Sequence, residues 1–405
     1  MGEATKTTLG DLAKAGHLEF GDGYRTKRAE HGKPGIPILR VAEVLDGKIL
    51  PALEDYVSDA YRDSMGQKIS QPGDVVLTTK GTVGRVAIMP SNSPEFVYSP
   101  QLCYFRLRPG SPLLARYLYY WFKSEQFWSQ ARSRKSQTDM ADYLNLADIR
   151  SLEISLPELR EQQAVTSVLG ALDDKIAVNE RIARTSLDLA DAHFELVARN
   201  LAYSSETFGS VAEVFGGGTP RTSEPAYWDG SIAWATPSDV TGLSAPYLFT
   251  TARKITEKGL AECASQLYPP GSIFMTSRAT IGAFAVPQVP TAVNQGFIVV
   301  IPRQPEMRWW LFHEMRSRVD EMRSLANGST FLELSRKNFK AMRVRLAEPD
   351  VIARFSAQVD PLHKRAAKCV EESHVLAELR DTLLPKLMSG EIRVRDAEKA
   401  VEESL

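Results

Sequence analysis

Two long stretches of the chain place apolar residues at intervals of three and four positions, which is the pattern of an amphipathic helix. One begins at Glu158 and the other at Asp350. Each stretch has about 40 residues, whereas the usual helix has about 11. As a helix, each would be about 60 Å long. We therefore predict two long helices that pair with each other as an antiparallel coiled coil. The residues predicted to pair them are Val165, Leu169, Leu172, Ile176, Phe355, Val359, Leu362 and Leu383.

Three residues modify this prediction. Asn179 falls on the apolar seam of the first helix, where a buried polar side chain can fix the register of two paired helices. Pro361 and Pro385 lie inside the second stretch, and proline cannot donate a backbone hydrogen bond. We therefore expect the second helix to begin late, to kink or to fray near its end.

The segments that precede the long helices show short apolar runs bounded by glycine and proline, which is typical of strands. Longer runs of helical composition, each opening near a proline, lie between them. The predicted strands are residues 74–78, 85–89, 102–107, 272–276 and 296–301, and the predicted helices are residues 113–130 and 308–325. Each globular part is thus expected to be a mixed α and β domain.

The two globular parts are copies of one domain. Residues 73–88 align without a gap with residues 271–286, and both share a glycine, an apolar run, Thr, a small hydroxyl residue, a base and then Thr-apolar-Gly. The sequence predicts an α+β protein in which two repeated mixed α/β domains are separated by two long antiparallel coiled-coil helices. The expected segments are a first domain at 1–157, a central helix at 158–205, a second domain at 206–349, and a C-terminal helix with an acidic tail at 350–405.

Composition narrows the class of protein. Hydrophobic residues make up 43% of the chain and charged residues 24%, as in folded globular proteins. No stretch approaches the roughly 20 apolar residues of a membrane span, and no apolar signal segment opens the chain, so we expect a cytoplasmic protein without membrane contact. The net charge of −1 does not by itself favour nucleic-acid binding. Basic clusters, such as the one at Arg336 and Lys337, would still let one face meet phosphate.

Catalytic and metal-binding motifs do not emerge from the sequence. Methyl transfer to a base needs an Asn- or Asp-Pro-Pro-aromatic loop, and the run Tyr268-Pro269-Pro270-Gly271 lacks both the polar leader and the aromatic follower. The histidines form no HxxxH pair, and the three cysteines are far apart. We predict that the chain is not an enzyme and binds neither a metal nor a cofactor.

The repeated loop that follows the aligned strand is the best candidate for binding. Its hydroxyls and its cation suit phosphate oxygens or base edges. A shared fold is enough to explain the glycines and the apolar residues, whereas for Lys80 and Arg278 DNA contact and a structural role stay equally open. The candidate DNA-contact residues are Tyr24, Arg25, Arg40, Thr78, Thr79, Lys80, Thr82, Arg85 and Gln101 in the first copy, and Thr219, Arg221, Trp234, Thr276, Ser277, Arg278, Thr280 and Gln295 in the second.

This layout resembles the specificity subunits of type I restriction-modification systems over essentially the whole chain. Residues 216–220 (GGGTP), followed by Tyr227-Trp228, resemble the opening of the family's target-recognition domains. Residues 73–84 and 271–282 resemble the strand and loop within those domains. Residues 157–163 (PELREQQ) and 383–392 (LLPKLMSGEI) resemble the boundaries of the family's conserved helices.

The resemblance implies a protein that reads a bipartite double-stranded DNA sequence, one short tract per domain, while its helices hold two modification subunits. Those partners would bind S-adenosylmethionine and methylate adenine, and a motor-nuclease restriction subunit could join them. A stand-alone DNA-binding regulator or scaffold without methyltransferase partners would use the same repeat and stays open as an alternative.

Overall fold

The computed structural model of the protein describes residues 5–134, 143–327 and 332–404. The chain divides into two compact units, the first formed by Met1–Asp173 with Ala377–Leu405 and the second by Asp174–Leu376. Both divisions fall inside long helices, so each long helix contributes residues to both units. Among the helices of the described ranges, none combines the length and the apolar character needed to cross a membrane.

The strands of the first copy are β1 (Thr5–Thr8), β2 (Leu18–Asp22), β3 (Gly35–Leu39), β4 (Val44–Leu45), β5 (Lys48–Ile49), β6 (Tyr56–Ser58), β7 (Val75–Thr78), β8 (Val86–Ile88), β9 (Val97–Tyr98), β10 (Leu102–Leu107) and β11 (Glu153–Leu156). Those of the second copy are β12 (Tyr203–Thr207), β13 (Ala212–Phe215), β14 (Trp228–Ala235), β15 (Tyr247–Leu248), β16 (Arg253–Ile255), β17 (Ile273–Thr276), β18 (Phe284–Pro287), β19 (Thr291–Val293), β20 (Phe297–Pro302) and β21 (Arg343–Arg345).

The α-helices are α1 (Leu9–Lys14), α2 (Arg62–Met65), α3 (Ala115–Lys123), α4 (Glu125–Arg134), α5 (Leu146–Arg150), α6 (Leu159–Ala198), α7 (Phe208–Val211), α8 (Pro237–Thr241), α9 (Glu257–Ala261), α10 (Arg308–Ser317), α11 (Val319–Ser324), α12 (Arg336–Ala341), α13 (Pro349–Ser389) and α14 (Val394–Ser404). Single turns of 3-10 helix lie at Arg28–Glu30, Val41–Glu43, Asp59–Tyr61, Gly66–Lys68, Pro225–Tyr227 and Pro305–Met307.

The two copies share one sheet plan, which confirms the predicted repeat. In the first, an antiparallel sheet has the order β2-β10-β7-β8, and in the second the corresponding order is β13-β20-β17-β18, with β15 added at the edge. A small sheet accompanies each: β3 pairs antiparallel with β6 and parallel with β9, as β14 does with β16 and β19. The mixed α and β architecture predicted from the pattern is therefore correct.

Within the first unit, the start of α6 packs on the domain that precedes it. Val165, Leu169 and Leu172 are buried. Gln162 is fully buried, accepts a hydrogen bond from Leu114 N at 3.0 Å and donates to the Pro112 carbonyl at 2.7 Å. Because a buried amide without partners would cost several kcal/mol, these bonds fix where α6 meets its domain.

The end of α13 also lies in the first unit. Arg380 donates to the Asp173 carboxylate on α6 at 2.8 Å, and the Tyr120 hydroxyl donates to the same carboxylate at 2.7 Å. Leu383, one of the predicted pairing residues, is buried. The two helices are thus tied together by a partly buried ion pair.

In the second unit α6 and α13 run antiparallel. Asn179 and Lys175 of α6 contact Glu372 of α13 at 3.0 and 3.1 Å, and further along α6 Ala183 shares an apolar cluster with Ala366 and Cys369. Asn179 is 1% exposed, so the polar residue expected on the seam is buried there.

The remaining predicted pairing residues also fall in the second unit. Phe355 and Val359 of α13 are buried in one cluster with Leu187, Ala190 and Phe194 of α6, and Leu362 packs against that cluster. Ile176 is half-buried.

The second helix neither begins late nor stops at its prolines, because α13 begins at Pro349 and continues through Pro361 and Pro385 to Ser389. Both prolines lie on the exposed face. The carbonyls that lose their helical donor belong to the exposed residues Ala357 and Asp381, so water can satisfy them and the cost of each proline is reduced.

A chain of hydrogen-bonded polar side chains, of which Tyr247, His313 and His363 are buried and Asp191 is half-buried, crosses the second unit. Asp191 of α6 contacts His313 Nδ1 of α10 at 2.6 Å, His313 Nε2 lies 2.9 Å from His363 Nε2 of α13, and His363 Nδ1 lies 2.8 Å from the Tyr247 hydroxyl. The carboxylate can only accept, so neutral His313 donates from Nδ1 and accepts at Nε2 from His363, which in turn accepts from Tyr247. The histidines thus connect three helices.

Candidate nucleic-acid interface

The loop that follows β7 in the first copy and β17 in the second has the same hydrogen bonds at its base. Thr78 Oγ1 accepts from the backbone N–H of Arg85 at 2.9 Å, and Thr276 Oγ1 accepts from Ala283 N at 3.0 Å. Both threonines are fully buried. Their hydroxyls are therefore used to close the loop, and what they provide to a ligand is the position of the residues that follow.

Glycine is required where this loop ends. Gly84 has φ +99° and Gly282 φ +90°. A Cβ on Gly84 would stand 2.1 Å from Trp128 Cη2, and one on Gly282 would stand 2.5 Å from Val319 Cγ1. The loop thus lies against a helical segment in each copy with no room for a side chain.

The tip of the loop points its polar side chains into solvent. Lys80 and Thr82 are exposed in the first copy, as are Arg278 and Thr280 in the second. Between them the backbone turns through the left-handed region, at Gly81 with φ +80° and at Ala279 with φ +58°. This conformation is unfavourable for alanine and places strain at the tip of the second loop.

Three segments of each copy meet at this loop. Thr79 N donates to the Gln101 carbonyl at 2.9 Å, and Ser277 N donates to the Gly296 carbonyl at 2.8 Å. The third segment comes from the start of the domain and binds the segment that contains Gln101: Tyr24 N donates to the Tyr98 carbonyl at 2.7 Å.

The second copy repeats that third contact. Gly218 N donates to the Val293 carbonyl at 3.0 Å. Both segments need a glycine, because a Cβ on Gly23 or Gly217 would stand 2.1 or 1.9 Å from a carbonyl oxygen. The structure therefore brings together three of the regions that the sequence singled out separately.

In the second copy these segments enclose a cleft of about 380 Å³. Its polar lining includes Ser277, Arg278, Gln295, Glu333, Arg336 and Lys337. Thr219 donates to Gln295 Oε1 at 2.7 Å, which fixes the amide plane, and Arg278 Nη2 lies 2.9 Å from Glu333 Oε1. A cleft with three cations, one carboxylate and an oriented amide can recognise phosphate and base edges together.

The candidate residues differ in their accessibility. Exposed are Arg25, Arg40, Lys80, Thr82, Gln101, Thr219, Arg221, Arg278, Thr280 and Gln295; Tyr24 and Arg85 are half-buried; Thr78, Thr79, Thr276, Ser277 and Trp234 are buried. Arg40, at the end of β3, forms an ion pair with Asp55. For the exposed residues DNA contact stays a prediction.

Trp234 has a different place from the one expected. Its side chain is 3% exposed, its Nε1 donates to the Gly218 carbonyl at 3.1 Å, and its ring packs edge-on against Trp228 at 5.2 Å. Trp234 therefore belongs to the core, where it supports the Gly218 segment instead of reaching a ligand. Thr79 and Ser277 are likewise supporting residues, because they are 4% and 3% exposed.

Sequence reasoning left four residues next to the loop out of the candidate set. Tyr143 and Glu333 form backbone bridges to Lys80 and Arg278, respectively. They directly precede Leu144 and Leu334, so the repeat alignment could have found them. Arg336 and Lys337 were recognised only as a basic cluster, because their place beside Gln295 depends on the fold.

Known proteins share both the sequence pattern and the fold of this chain. The family described as "Type I restriction modification DNA specificity domain" matches residues 1–185 and 203–361. The chain is 34% identical over 142 residues to the type I restriction enzyme MjaIX specificity subunit of Methanocaldococcus jannaschii, a match that covers 35% of this chain and 33% of that protein. It is 20% identical to the HindI specificity subunit of Haemophilus influenzae, over 89% of this chain and 95% of that one.

A solved structure supports the fold over nearly the full length. The crystal structure of the type I restriction-modification S subunit from M. genitalium superposes with a TM-score of 0.57 at 15% identity and covers 96% of this chain and 97% of that one. Together with the two matched segments, which lie on the two structural copies, these likenesses assign the chain: it belongs to the type I restriction-modification DNA specificity family and carries that family's domain twice.

Proposed function

We propose that this specificity subunit reads a bipartite double-stranded DNA target, one short tract with each copy of the domain, and so directs adenine methylation by partner subunits. One observation carries the proposal: the same three-segment cluster is built twice, with an exposed cation at each loop tip, Lys80 in one copy and Arg278 in the other. Two equivalent interfaces of different chemistry suit two different DNA tracts.

The partners follow from the same proposal. Two modification subunits would each carry S-adenosylmethionine and the methyltransferase site, and a restriction subunit could join the complex. The duplicated domain supports two such partners, one for each tract. Because these partners act on the cell's own DNA, we propose the cytoplasm as the location of the complex.

Substitution of the two loop cations tests the assignment of tracts. We expect Lys80→Ala to relax base preference in one tract only and Arg278→Ala in the other, each at a cost of about 1–3 kcal/mol in discrimination. The readout is the set of adenine-methylated sites produced by the variant assembled with its methyltransferase partner. If both variants methylate the same sites as the parent chain at the same rates, the loops do not read DNA.

A mixing experiment tests the division of labour. The purified chain should transfer no labelled methyl group from S-adenosylmethionine to DNA until the methyltransferase subunit is added. A chain that binds its target tightly but never stimulates a methyltransferase would instead support a stand-alone regulator.

A further inference from the structure

The position that faces the loop cation differs between the two copies. Lys80 forms an antiparallel backbone bridge with Tyr143, and Arg278 forms the equivalent bridge with Glu333. The neighbouring contact is the same in both, because Leu144 N donates to the Thr79 carbonyl and Leu334 N to the Ser277 carbonyl, each at 3.0 Å. Tyr143 and Glu333 are therefore structural equivalents that carry different side chains.

The backbone around Glu333 holds the second loop firmly. Glu333 exchanges two hydrogen bonds with Asn327, at 2.9 and 3.0 Å, and Ala279 N donates to the Leu332 carbonyl at 3.1 Å. Glu333 thus stands at a fixed point beside the loop tip. Its carboxylate contacts the Arg278 guanidinium at 2.9 Å.

This ion pair contributes little to folding. The two side chains are 44% and 46% exposed, and pairs of this kind stabilise proteins by about 0–1 kcal/mol. A carboxylate at a DNA-binding surface also repels phosphate. What the pair does provide is direction, because the single contact between Nη2 and Glu333 restricts where the planar guanidinium of Arg278 can lie.

We propose that Glu333 is a specificity-determining, positioning residue of the second copy: it orients Arg278 for a bidentate contact with guanine in the second DNA tract and weakens the attraction of Arg278 to phosphate. The proposal rests on the proposed function. Bidentate arginine contacts to O6 and N7 are the commonest way in which proteins recognise guanine. In the first copy, Lys80 beside Tyr143 lacks this planar fork, so the two tracts would be read by different chemistry.

The test uses the full-length chain assembled with its methyltransferase partner and a randomised duplex DNA library, from which bound molecules are selected and sequenced. Glu333→Gln removes the charge and keeps the shape. We expect guanine preference at one position of the second tract to fall about tenfold, within the range of about 5- to 150-fold for a complete bidentate contact, while the first tract is unchanged. Binding to a non-target duplex should stay equal or become tighter, with a salt dependence steeper by up to about 0.9 in log–log slope.

Three further variants make the outcome decisive. Glu333→Asp should restore part of the preference, because it restores the carboxylate. Glu213→Gln is the matched control, since Glu213 forms a similarly exposed ion pair with Arg303 in the same unit and should leave both tracts unchanged. Glu333→Tyr, which copies the first domain, should relax the same position as Glu333→Gln and serves if the glutamine variant does not fold.

The outcomes separate this inference from the proposed function. If Arg278→Ala loses the guanine preference but Glu333→Gln and Glu333→Tyr keep it, Arg278 reads DNA unaided and the inference is wrong. If Glu333→Gln weakens both tracts equally, Glu333 has only a structural role, and the inference is wrong again. If Arg278→Ala itself changes no base preference, the proposed interface of the second copy fails, and the inference fails with it.

Discussion

Adding one methyl group at Gly84 should test whether the loop of the first copy is held against the helix behind it. Gly84 has φ +99°, and a Cβ there would stand 2.1 Å from Cη2 and 2.3 Å from Cζ2 of Trp128. Real Cβ atoms do not approach other atoms so closely, so either the indole ring or the loop must move by more than 1 Å.

The expected loss of stability has two parts. A left-handed conformation costs an L-residue about 1–2 kcal/mol, and overpacking adds about 1–3 kcal/mol. Gly84→Ala should therefore lower the free energy of unfolding by about 2–5 kcal/mol. Gly81→Ala is the matched control, because Gly81 has φ +80° but a Cβ added there would meet nothing within 4 Å, so only the backbone part applies.

Thermal unfolding and DNA binding measure the two effects. At about 2–4 °C per kcal/mol for a unit of this size, Gly84→Ala should unfold several degrees below Gly81→Ala. It should also weaken the preference for the first DNA tract, because the displaced loop carries Lys80. Equal melting temperatures for the two variants would show that the Trp128 ring moves aside without a cost in stability, and that packing against Trp128 does not hold the loop in place.

Other substitutions should have effects of known direction. Ala279→Gly should raise the free energy of unfolding by up to about 1 kcal/mol, because relief of the left-handed strain at φ +58° exceeds the entropy that glycine adds to the unfolded chain; urea unfolding checks this. Phe355→Ala should lower the free energy of unfolding by about 3–5 kcal/mol, because the side chain is buried. Leu196→Ala is the control: this residue is 62% exposed, and its replacement should change the free energy of unfolding by less than about 0.5 kcal/mol. Equal losses would contradict the pairing of the long helices. Burial, together with the neighbouring His313, lowers the pKa of His363 from 6.5 to about 2. Below pH 6.5 His363 takes up a proton in the unfolded chain but not in the folded chain, so the free energy of unfolding should fall as the pH drops from about 6.5 toward 2, by up to about 1.4 kcal/mol per pH unit. In urea unfolding, His363→Gln should make the midpoint depend less on pH.

The long helices and the repeat could be predicted because their signals are local or periodic. Apolar spacing at Val165, Leu169 and Leu172 marks the buried face of α6, and all three residues are buried. The effect of Pro361 on α13 could not be predicted, because the cost of a proline depends on whether the carbonyl it leaves unpaired faces solvent. That face is set by packing between helices.

The chain of hydrogen-bonded polar side chains through His313 and His363 could not be predicted from the sequence, for another reason. Its members lie far apart in sequence and on different elements, so no spacing connects them. Burial lowers the pKa of His313 despite the hydrogen bond to Asp191. For Asp191, burial would raise the pKa, but hydrogen bonds from His313 and Arg316 outweigh it and lower the pKa to about 2. The acid is therefore charged and the histidines neutral, an arrangement that depends on three-dimensional contacts alone.

The comparison of the two copies separates what the fold needs from what a target would need. Thr78 and Thr276 make the same buried hydrogen bond, so the loop must close in the same way in both copies. At the exposed tip the two copies carry different side chains, Lys80 in the first copy and Arg278 in the second. Buried positions of a duplicated domain are constrained by packing, whereas exposed positions at the same backbone site are free to change with the ligand. The difference at the tip is therefore compatible with the proposal that the two copies share a scaffold and read different DNA tracts.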